Sequence, residues 1–565
     1  MDSVRKTCIT GKLPPPIGTS DWETFSRDSI CVDKTLMVRD IVDLKTRVAL
    51  FTRPRRFGKT TAMRMIRAFF EKRLDAKGER VDTSHLFADK RIWAEGEAYR
   101  ALQGRFPIIW LSFKDHKSMN WEDALFDLRS TIGSECARHL ESIRAMDAGL
   151  AKRSRLVDVA NEESSPKELA ESLGYLAEAV HSHWGAKPIV IIDEYDQPIS
   201  SASTFGYYDQ MCSFLRMFLS GAMKDNEHVE MGLMTGVLRV AKEGILSGLN
   251  NLKVYTVFDA AFSEYFGFTE DEVRGLAEYD GVPEKMAEIQ AWYDGYDFAG
   301  TEIYNPWSVL YYFSCDCKPG PYWLDTSSND LITELVATYP HDTKKVFQQL
   351  LQGGSPYVPM ASELGPYARI KESPDTLYAL LVSAGYLKVA SPLEMGACAV
   401  SIPNHEIRQV FEMDIMTKLR RSIPVAFDIT TALLTRDADA LKAAIGRFLV
   451  ESVSYFDAAA EGFFHGLTLG FLAILRDRFR VKSNAESGEG RFDIMLRPLV
   501  PDFPGYVVEV KAARSDGEDL KALAADALDQ IERRDYVAEL RAERIADIVK
   551  LGLAYRGKRV ELAVG

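Results

Sequence analysis

Residues 48–70 read VALFTRPRRFGKTTAMRMIRAFF, a stretch that passes from an apolar run through a short loop into a helical pattern. Gly58, Lys59 and Thr60 stand where the helix is predicted to begin. A helix N-terminus presents free backbone N–H groups and the positive end of the helix dipole to phosphate oxygens. Lys59 would reach the outer phosphates of a nucleotide, and the Thr60 hydroxyl would ligate magnesium. The stretch therefore predicts a phosphate-binding loop between a strand and a helix.

The loop departs from the usual glycine-rich pattern at its first position. Arg53 stands five residues before Gly58, where a phosphate-binding loop usually has glycine. Bulky and charged residues fill the interval, so the loop backbone is predicted to have a different shape. A surface turn is the alternative interpretation. Nucleotide contacts are predicted for Arg53, Arg55, Arg56, Phe57, Gly58, Lys59, Thr60 and Thr61.

A second apolar run ends in acids. Residues 188–196 read PIVIIDEYD, so a strand without polar residues leads directly into Asp193 and Glu194. In open parallel sheets, ligands bind at the carboxyl ends of the strands. We therefore predict that Asp193 holds magnesium, directly or through water, and that Glu194 orients or deprotonates an attacking water. The alternative is that the acids only cap a buried strand.

The next predicted strand, residues 230–235, adds two candidate residues. Thr235 stands at its end, and Arg239 lies just beyond it in the sequence Met-Thr-Gly-Val-Leu-Arg. We predict that Thr235 senses the γ-phosphate and that Arg239 stabilises transition-state charge as an arginine finger does. A surface salt bridge would explain Arg239 equally well.

A different set of charged residues lies near the C-terminus. Asp493 follows Gly-Arg-Phe, and the run Gly-Tyr-Val-Val-Glu-Val-Lys places Glu509 and Lys511 two residues apart on one predicted strand. Side chains two apart share a face of a strand. Asp493 and Glu509 would share a divalent cation, while Lys511 would position or activate water and offset phosphate charge. These residues suit metal-dependent phosphodiester hydrolysis; an exposed strand of alternating valines and charges is the alternative.

Neighbouring predicted helices offer further site residues. A helix predicted from about 519 to 533 carries Gln530, and Tyr536 follows it. An earlier helix carries Glu461, which is predicted as a third metal ligand, with Glu486 as its rival. Either glutamate would otherwise be solvated.

The chain of 565 residues exceeds what one hydrophobic core organises, so several domains are expected. Residues 1–260 alternate strand-like and helical patterns, which predicts an α/β fold with a parallel sheet and helices on both faces. Residues 261–425 are predicted as a mostly helical middle region without an assigned chemistry, and residues 426–565 as a second α/β domain. The predicted strands are 48–51, 107–113, 188–193, 230–235, 252–258, 492–496, 506–510, 549–555 and 559–564.

The composition of the chain limits which binding partners and which cellular compartment are expected. The formal net charge is -13 at pH 7, so no global positive field indicates nucleic acid, and any such contact must be local. The seven cysteines are scattered and odd in number, which favours free thiols in a reducing cytosol. No apolar run approaches the roughly 20 residues that span a bilayer. A cytoplasmic protein is expected.

Together, these residues resemble a family of prokaryotic proteins in which an AAA-ATPase-like N-terminal domain precedes a nuclease domain of the PD-(D/E)XK superfamily. The resemblance runs nearly end to end, and the arginine at position 53 is part of it. It implies a restriction-endonuclease-like fold for residues 426–565, with Asp493, Glu509 and Lys511 as the core acid, acid and lysine. The matching landmarks are Val32–Thr35, Arg53–Thr60, Asp193–Asp196, Thr235–Gly236, Ser247–Asn250, Gly267–Glu270, Trp292–Tyr296, Ile402–Asn404, and Gln530 with Tyr536.

The expected protein is an ATP-dependent or ATP-gated nuclease that uses ATP and Mg²⁺ and acts on nucleic acid. DNA is expected as its substrate in preference to RNA. Its setting would be defence or mobile-element processing, and a homo-oligomer is left open. The alternative is a nucleotide-switched binding or signalling module whose nuclease-like domain does not cut. A third possibility is that the altered loop binds no ATP and the nuclease acts alone. Catalytic roles are predicted for Glu194, Arg239, Asp493, Glu509, Lys511 and Gln530.

Overall fold

A computed structural model of the protein divides the chain into two compact units, Met1–Ile415 and Met416–Gly565. Within the described residues, every helix is too short or too polar to span a bilayer. The structure describes residues 13–18, 21–44, 46–75, 77–146, 150–238, 249, 251–323, 346–347, 349–351, 353–361, 374–391, 393–394, 396–411, 424–452, 461–472, 475, 479–487, 490–499, 503–515, 517–545 and 547–565.

The centre of the first unit is a five-stranded sheet. Its strands are β1 (Val48–Thr52), β2 (Ile108–Ser112), β3 (Ile189–Asp193), β4 (Met231–Gly236) and β5 (Leu252–Tyr255). They pair in the order β2-β3-β4-β1-β5, and all the ladders are parallel, which confirms the predicted α/β class. β1 and β3 are buried along their whole length, as continuous apolar strands in a covered parallel sheet should be. Because β4 lies between β1 and β3, its carboxyl end meets both the loop after β1 and the acids after β3.

Local signals set the helix boundaries in the first unit. Ser165 and Glu168 form a capping box at the start of one long helix, and Gly185 ends it in a left-handed conformation. The described helices are α1 (Trp22–Asp28), α2 (Leu36–Val42), α3 (Lys59–Phe70), α4 (Arg91–Ala94), α5 (Glu97–Arg100), α6 (Trp121–Arg138), α7 (Leu140–Arg144), α8 (Leu150–Ala160), α9 (Pro166–Trp184), α10 (Gln197–Phe205), α11 (Tyr208–Met223), α12 (Glu270–Asp280), α13 (Met286–Tyr293), α14 (Pro306–Ser314), α15 (Pro374–Ser383) and α16 (His405–Val410). Short 3₁₀ turns occupy Ser84–Leu86, Ser263–Tyr265 and Pro283–Lys285.

The middle region, as far as residue 415, belongs to this first unit and contains strands that the sequence analysis missed. β6 (Tyr296–Phe298) and β7 (Thr301–Ile303) form a hairpin. A small antiparallel sheet has the order β8-β10-β9, where β8 is Tyr357–Pro359, β9 is Lys388–Val389 and β10 is Ala397–Ser401. Strands of two to five residues carry too little alternation to stand out from a helical background.

The second unit is built on a mixed sheet. Its strands β11 (Phe479–Ser487), β12 (Gly490–Pro498), β13 (Gly505–Ala512), β14 (Ile548–Arg556) and β15 (Arg559–Val564) pair in sequential order. Only β13 and β14 are parallel among these described strands, and two helices lie between them in the chain, as in a βαβ unit. The described helices are α17 (Pro424–Leu434), α18 (Ala438–Ser452), α19 (Glu461–Leu472), α20 (Leu520–Arg533) and α21 (Ala538–Ala542).

Candidate functional site

The loop after β1 and the start of α3 line one end of a cavity of about 530 Å³ in the first unit. Gly58 has φ +80°, a left-handed conformation that favours glycine, and it caps the N-terminus of α3. α3 therefore begins at Lys59, with its first backbone N–H groups at this end of the cavity. All of residues 55–61, for which nucleotide contacts were predicted, line the cavity.

Lys59 is held inside the loop, with only 3% of its side chain exposed. Its Nζ donates hydrogen bonds to the carbonyl oxygens of Arg53 and Pro54, at 3.2 Å each. The same atom lies 3.3 Å from Oε1 of Glu194. The loop backbone and one carboxylate thus fix a positive charge where phosphate oxygens would need it.

Asp193, at the end of β3, links the first turn of α3 to the end of β4. Its Oδ2 accepts a hydrogen bond from the Thr60 hydroxyl at 2.8 Å, and its Oδ1 accepts one from the Thr235 hydroxyl at 2.6 Å. Burial, and then the nearby charge of Glu194, raise the pKa of Asp193. Thr60 and Asp193 therefore present neighbouring oxygen atoms, the ligand type that magnesium prefers.

Thr235 lies behind the acids rather than beside the cavity. It is fully buried, and its hydroxyl also accepts a hydrogen bond from the backbone N–H of Glu194 at 3.3 Å. Glu194 adopts φ +55°, which is uncommon for a non-glycine residue, and its side chain lines the cavity. Thr235 therefore positions both acids, and its predicted direct contact with the γ-phosphate is corrected to this supporting role.

Arg53 differs most from its predicted role. Its guanidinium is fully buried between the rings of Phe266 and Phe298, with Cζ 5.3 Å from each ring centroid. Nη1 donates hydrogen bonds to the carbonyl oxygens of Thr52 and Tyr255, at 2.9 Å each. Burial lowers the pKa of Arg53 to about 10. The prediction of a nucleotide contact by this side chain is wrong, because aromatic rings and strand carbonyls hold it away from the cavity.

Two loop side chains pack against the middle region. The guanidinium of Arg56 lies over the ring of Trp307, 4.0 Å from its centroid, a cation–π contact. The ring of Phe57 packs edge-on against Tyr296, with centroids 4.9 Å apart. Arg56 itself has φ +71°. Contacts with the middle region thus stabilise a loop shape that the loop's own glycine-poor sequence does not favour.

The rest of the cavity wall is mostly apolar and comes from segments far apart in the chain. An apolar wall beside a phosphate-binding loop is suited to burying the flat ring of a nucleobase. Sequence analysis missed these residues, since no local motif marks them; Val32 and Phe268 fall within landmarks of the resemblance. The wall is lined by Pro16, Trp22, Phe25, Ile30, Val32, Met65, Phe268, Pro306, Trp307 and Leu310, with Lys34, Lys114, Lys117, Gln197 and Tyr265 as polar members.

Tyr195 and Asp196 hold the segment that follows β4. Oδ2 of Asp196 accepts hydrogen bonds from the backbone N–H groups of Val237 and Leu238, at 2.9 and 2.8 Å. The Tyr195 hydroxyl donates to the carbonyl oxygen of Leu238 at 2.8 Å. Burial is the main cause that raises the pKa of Asp196 to about 6. Arg239, the predicted arginine finger, lies outside the described residues.

In the second unit, the predicted nuclease residues lie where β12 and β13 separate. The two strands pair over three residues each, with Ile494 opposite Val508 at the end nearest these residues. Just beyond this pairing, Oδ2 of Asp493 accepts a hydrogen bond from the backbone N–H of Val510 at 2.8 Å. The Asp493 carboxylate thus satisfies a strand N–H at the point where the two strands part.

Glu509 of β13 and Gln530 of α20 are in direct contact. Nε2 of Gln530 donates a hydrogen bond to Oε1 of Glu509, and it lies 3.5 Å from the Tyr536 hydroxyl. Glu509 is buried. α20, the helix that the resemblance matched after the acidic residues, therefore contacts Glu509 through Gln530.

Lys511 forms an ion pair with Asp526 of α20, a residue that sequence analysis missed. Arg533 contacts the other oxygen of Asp526 at 3.1 Å. The hydrogen bond from Lys511 is the main cause that holds the pKa of Asp526 below its usual value. Asp526 stands four residues before Gln530, so both lie on one side of the helix. That spacing was the signal available in the sequence.

The oxygen atoms at both places fit a magnesium ion that keeps much of its water. Mg²⁺ in proteins binds through one or two carboxylates and retains several water ligands. Thr60 with Asp193 supplies such a set in the first unit. Asp493 and Glu509 supply two carboxylates in the second unit, on strands that separate at this point.

A third metal ligand is not placed by the described residues. α19 begins at Glu461, but the side chains of Glu461 and of its rival Glu486 lie outside the described part of the structure. Within that part, no cluster of three or more His, Cys, Asp and Glu side chains is arranged to hold a metal. The metal assignments from the sequence therefore stay predictions.

Two family models match separate parts of the chain. Residues 16–246 match a family model described as predicted AAA-ATPase, and residues 459–564 match one described as PD-(D/E)XK nuclease superfamily. The chain is 26% identical over 405 residues to a protein of Azotobacter chroococcum mcd 1, described as an uncharacterized protein in the vnfD 5' region. That match covers 70% of this chain and 68% of the relative. A Walker-type ATPase of Pyrococcus abyssi aligns over 71% of this chain and 98% of its own, at 13% identity and a TM-score of 0.32.

The strand, loop and acid arrangement lies within residues 16–246, the part of the chain that matches the predicted AAA-ATPase model. With the second match, the chain carries an AAA-ATPase-like region followed by a PD-(D/E)XK nuclease superfamily region, as the resemblance predicted.

Proposed function

We propose that the first unit binds ATP and hydrolyses it, with the phosphates at residues 58–61. One observation carries this proposal: Lys59 contacts Glu194, Thr60 contacts Asp193, and the Thr235 hydroxyl links the two acids. Lys59, Thr60 and Glu194 line the cavity. A fixed ammonium group, a hydroxyl beside a buried carboxylate and a second carboxylate are the groups that phosphoryl transfer from ATP to water requires.

Glu194 acts as the base in this proposal. An oxygen of water forms a bond to the γ-phosphorus, and the bond from that phosphorus to the β–γ bridging oxygen breaks, which leaves ADP. The proton of the attacking water passes to Glu194. Lys59 neutralises charge on the outer phosphates. Thr60 and Asp193 would hold magnesium, which when bound neutralises phosphate charge.

We infer that the second unit hydrolyses phosphodiester bonds of nucleic acid, with DNA preferred to RNA. Asp493 and Glu509 would hold a divalent metal, which supplies charge neutralisation at the scissile phosphate. Lys511 would contact that phosphate or the attacking water, and Gln530 would orient Glu509 through the hydrogen bond between them. Water adds to the phosphorus, one ester P–O bond breaks, and the leaving oxygen takes up a proton.

Coupling of the two activities is proposed because both sets of residues occur in one chain. ATP binding at Lys59 would license or drive nucleic-acid cleavage, in the cytoplasm, in defence or in mobile-element processing. The competing function is a nucleotide-switched binding or signalling module. It is favoured by the pairing of Lys511 with Asp526, which leaves the lysine already neutralised by a side chain, and by the net charge of -13. A nuclease that acts without ATP is the third possibility.

A time course of linear and circular DNA with Mg²⁺ or Mn²⁺, with and without ATP, tests these functions together. The wild type is compared with Lys59→Ala and Lys511→Ala. Lys90→Ala is a matched control for the first, because Lys90 is also little exposed, at 13%, and pairs with Asp89. Lys550→Ala is a matched control for the second. Lys550 pairs with Glu532 at exposures of 16% and 54%, against 18% and 52% for Lys511 and Asp526.

Each function predicts a different pattern. A coupled nuclease loses cleavage in Lys511→Ala, loses its ATP response in Lys59→Ala and keeps both in the two controls. A switched binding module leaves DNA intact throughout but binds labelled ATP, and Lys59→Ala abolishes that binding. Cleavage that ignores ATP and survives Lys59→Ala would identify a nuclease acting alone and would refute the coupling.

A further inference from the structure

Lys114 lies at the same edge of the first sheet as the acids of β3, and no role was predicted for it. Ser112 at the end of β2 pairs with Asp193 at the end of β3. The backbone N–H of Phe113 then donates a hydrogen bond to the carbonyl oxygen of Asp193 at 3.0 Å. Lys114 and Glu194 follow directly, and both line the cavity. Two neighbouring strands therefore bring a cation and a carboxylate to one cavity.

The backbone around Lys114 is fixed by its neighbours. The side chain of Phe113 is fully buried. Nε2 of His116 lies at hydrogen-bond distance, 2.9 Å, from the hydroxyl of Thr131 in α6. The hydroxyl of Ser201 in α10 donates to the carbonyl oxygen of His116 at 3.1 Å. The position of Lys114 is thus set by packing on both sides and does not depend on its own side chain.

The amine of Lys114 has only a weak partner. Its Nζ lies 3.8 Å from Oδ2 of Asp115, and the two side chains are 59% and 86% exposed. Exposed ion pairs of this kind contribute little to stability, because water solvates both charges well. Lys59, in contrast, is enclosed by loop carbonyls and Glu194. The Lys114 amine can therefore turn toward a stronger anion in the cavity at little cost.

We propose that Lys114 binds the γ-phosphate of a bound nucleoside triphosphate and stabilises its charge as the phosphoryl group passes to water. The inference rests on the proposed ATP hydrolysis and deepens it. Backbone N–H groups at the start of α3 serve the inner phosphates, whereas Glu194 must reach the attacking water and so marks the γ-phosphate end. Lys114 follows the strand end that pairs beside Asp193 and lines the same cavity as Glu194. It favours ATP over ADP, because ADP lacks the group that it contacts.

The experiment compares ATP with ADP. Equilibrium binding of both nucleotides with Mg²⁺, and the rate of phosphate release, are measured for the full-length wild type, Lys114→Ala and Lys114→Arg. Lys224→Ala is the matched control, since Lys224 is an exposed lysine just after α11 that does not line the cavity. We expect Lys114→Ala to weaken ATP binding about tenfold and ADP binding less than about twofold, and to lower kcat about tenfold or more. Lys114→Arg keeps the charge and should recover most of the loss.

The outcomes separate this inference from the function on which it rests. Wild-type turnover and an unchanged ratio of ATP to ADP affinity in Lys114→Ala would overturn the inference and leave the ATPase intact. Equal losses for ATP and ADP would also overturn it, because the lysine would then act on the shared phosphates. A wild type that binds neither nucleotide, with Lys59→Ala indistinguishable from it, would refute the proposed function and the inference with it.

Discussion

The two candidate sites differ in what holds their lysines. In the first unit, Nζ of Lys59 is held by two backbone carbonyls and by Glu194, at one end of a cavity. In the second unit, the Lys511 amine pairs with the carboxylate of Asp526, which is half exposed. Both lysines pair with a carboxylate, but the two loop carbonyls also fix the Lys59 amine in place. The lysine of the first site is therefore held in position in advance, whereas the ion pair of Lys511 is half exposed on the Asp526 side.

The sites also differ in where the chain places their functional groups. In the first unit these groups follow the ends of parallel strands, where a crevice opens at the edge of the sheet. In the second unit Asp493, Glu509 and Lys511 lie within strands, just beyond the last paired residues of β12 and β13. A cavity formed by strand ends exists before any ligand arrives.

The largest expected effect tests whether Glu194 acts as the base at the first site. Glu194→Gln keeps the size of the side chain and removes the base, so the rate of ATP hydrolysis should fall roughly 1,000-fold. ATP affinity should change by less than about threefold, because the phosphates contact the loop. Phosphate release and ATP titration measure the two quantities. Turnover within tenfold of the wild type would mean that Glu194 is not the base.

The next effect concerns the lysine of the second site. Lys511→Ala should lower the rate of DNA cleavage roughly 100-fold or more, because the charge that stabilises the phosphate in the transition state is lost. Cleavage of a labelled duplex is the measurement. Lys550→Ala, which breaks a similarly exposed ion pair with the same helix, should retain the wild-type rate within about twofold. Equal losses in the two variants would assign the effect to folding instead of catalysis.

The free energy of unfolding of the first unit should depend on pH through one buried carboxyl group. Burial raises the pKa of Glu406, in the first unit, to about 7 from an ordinary value of 4.5. Between pH 4.5 and 7 the folded state then binds more protons than the unfolded state, so the free energy of unfolding falls as pH rises through that window. Glu406→Gln removes this dependence. The variant should gain roughly 2–3 kcal/mol relative to wild type between pH 5 and pH 8.

Urea unfolding followed by tryptophan fluorescence measures this effect in the first unit alone. All eight tryptophans lie at or before Trp323, so none belongs to the second unit. Trp323 also donates its backbone N–H to Glu406 at 2.8 Å, which places a reporter beside the group that titrates. Parallel stability curves for variant and wild type from pH 5 to pH 8 would show that Glu406 titrates near its ordinary pKa.

The smallest expected effect tests whether the ion pair with Asp526 limits what Lys511 can bind, in contrast to Lys59. Asp526→Asn releases Lys511 from an exposed ion pair worth about 1 kcal/mol. The KM for DNA should therefore fall about fivefold, at little change in kcat. Glu532→Gln, the corresponding change in the Lys550 pair, should leave KM unaltered. A rise in KM and a fall in kcat would instead show that Asp526 positions Lys511 for catalysis.

Much of the architecture was predictable because it is locally encoded. Apolar runs bounded by turns predicted all five strands of the first sheet, and Gly58 with Lys59 marked the start of α3. β11 was missed because Phe479–Ser487 is rich in polar residues and reads as a loop. It becomes a strand by pairing along its length with β12. The hairpin of β6 and β7 was missed because each of its strands has only three residues.

Local sequence patterns alone predict which residues would bring phosphate and acid chemistry to the first site. Lys59 and Thr60 stand at the start of a helix, and Asp193 and Glu194 stand at the end of a strand. Both positions can be read from local sequence, and a parallel sheet brings these residues to the same edge. The position of the Arg53 side chain outside the cavity wall, in contrast, depends on tertiary contacts.

Arg53 bonds to the Tyr255 carbonyl, 202 positions along the chain, and lies between two rings that no local pattern links to it. The partner of Lys511 and the place of Lys114 were decided in the same way. A motif specifies the conformation of a few consecutive residues, but the direction of a long charged side chain depends on what the rest of the fold packs around it.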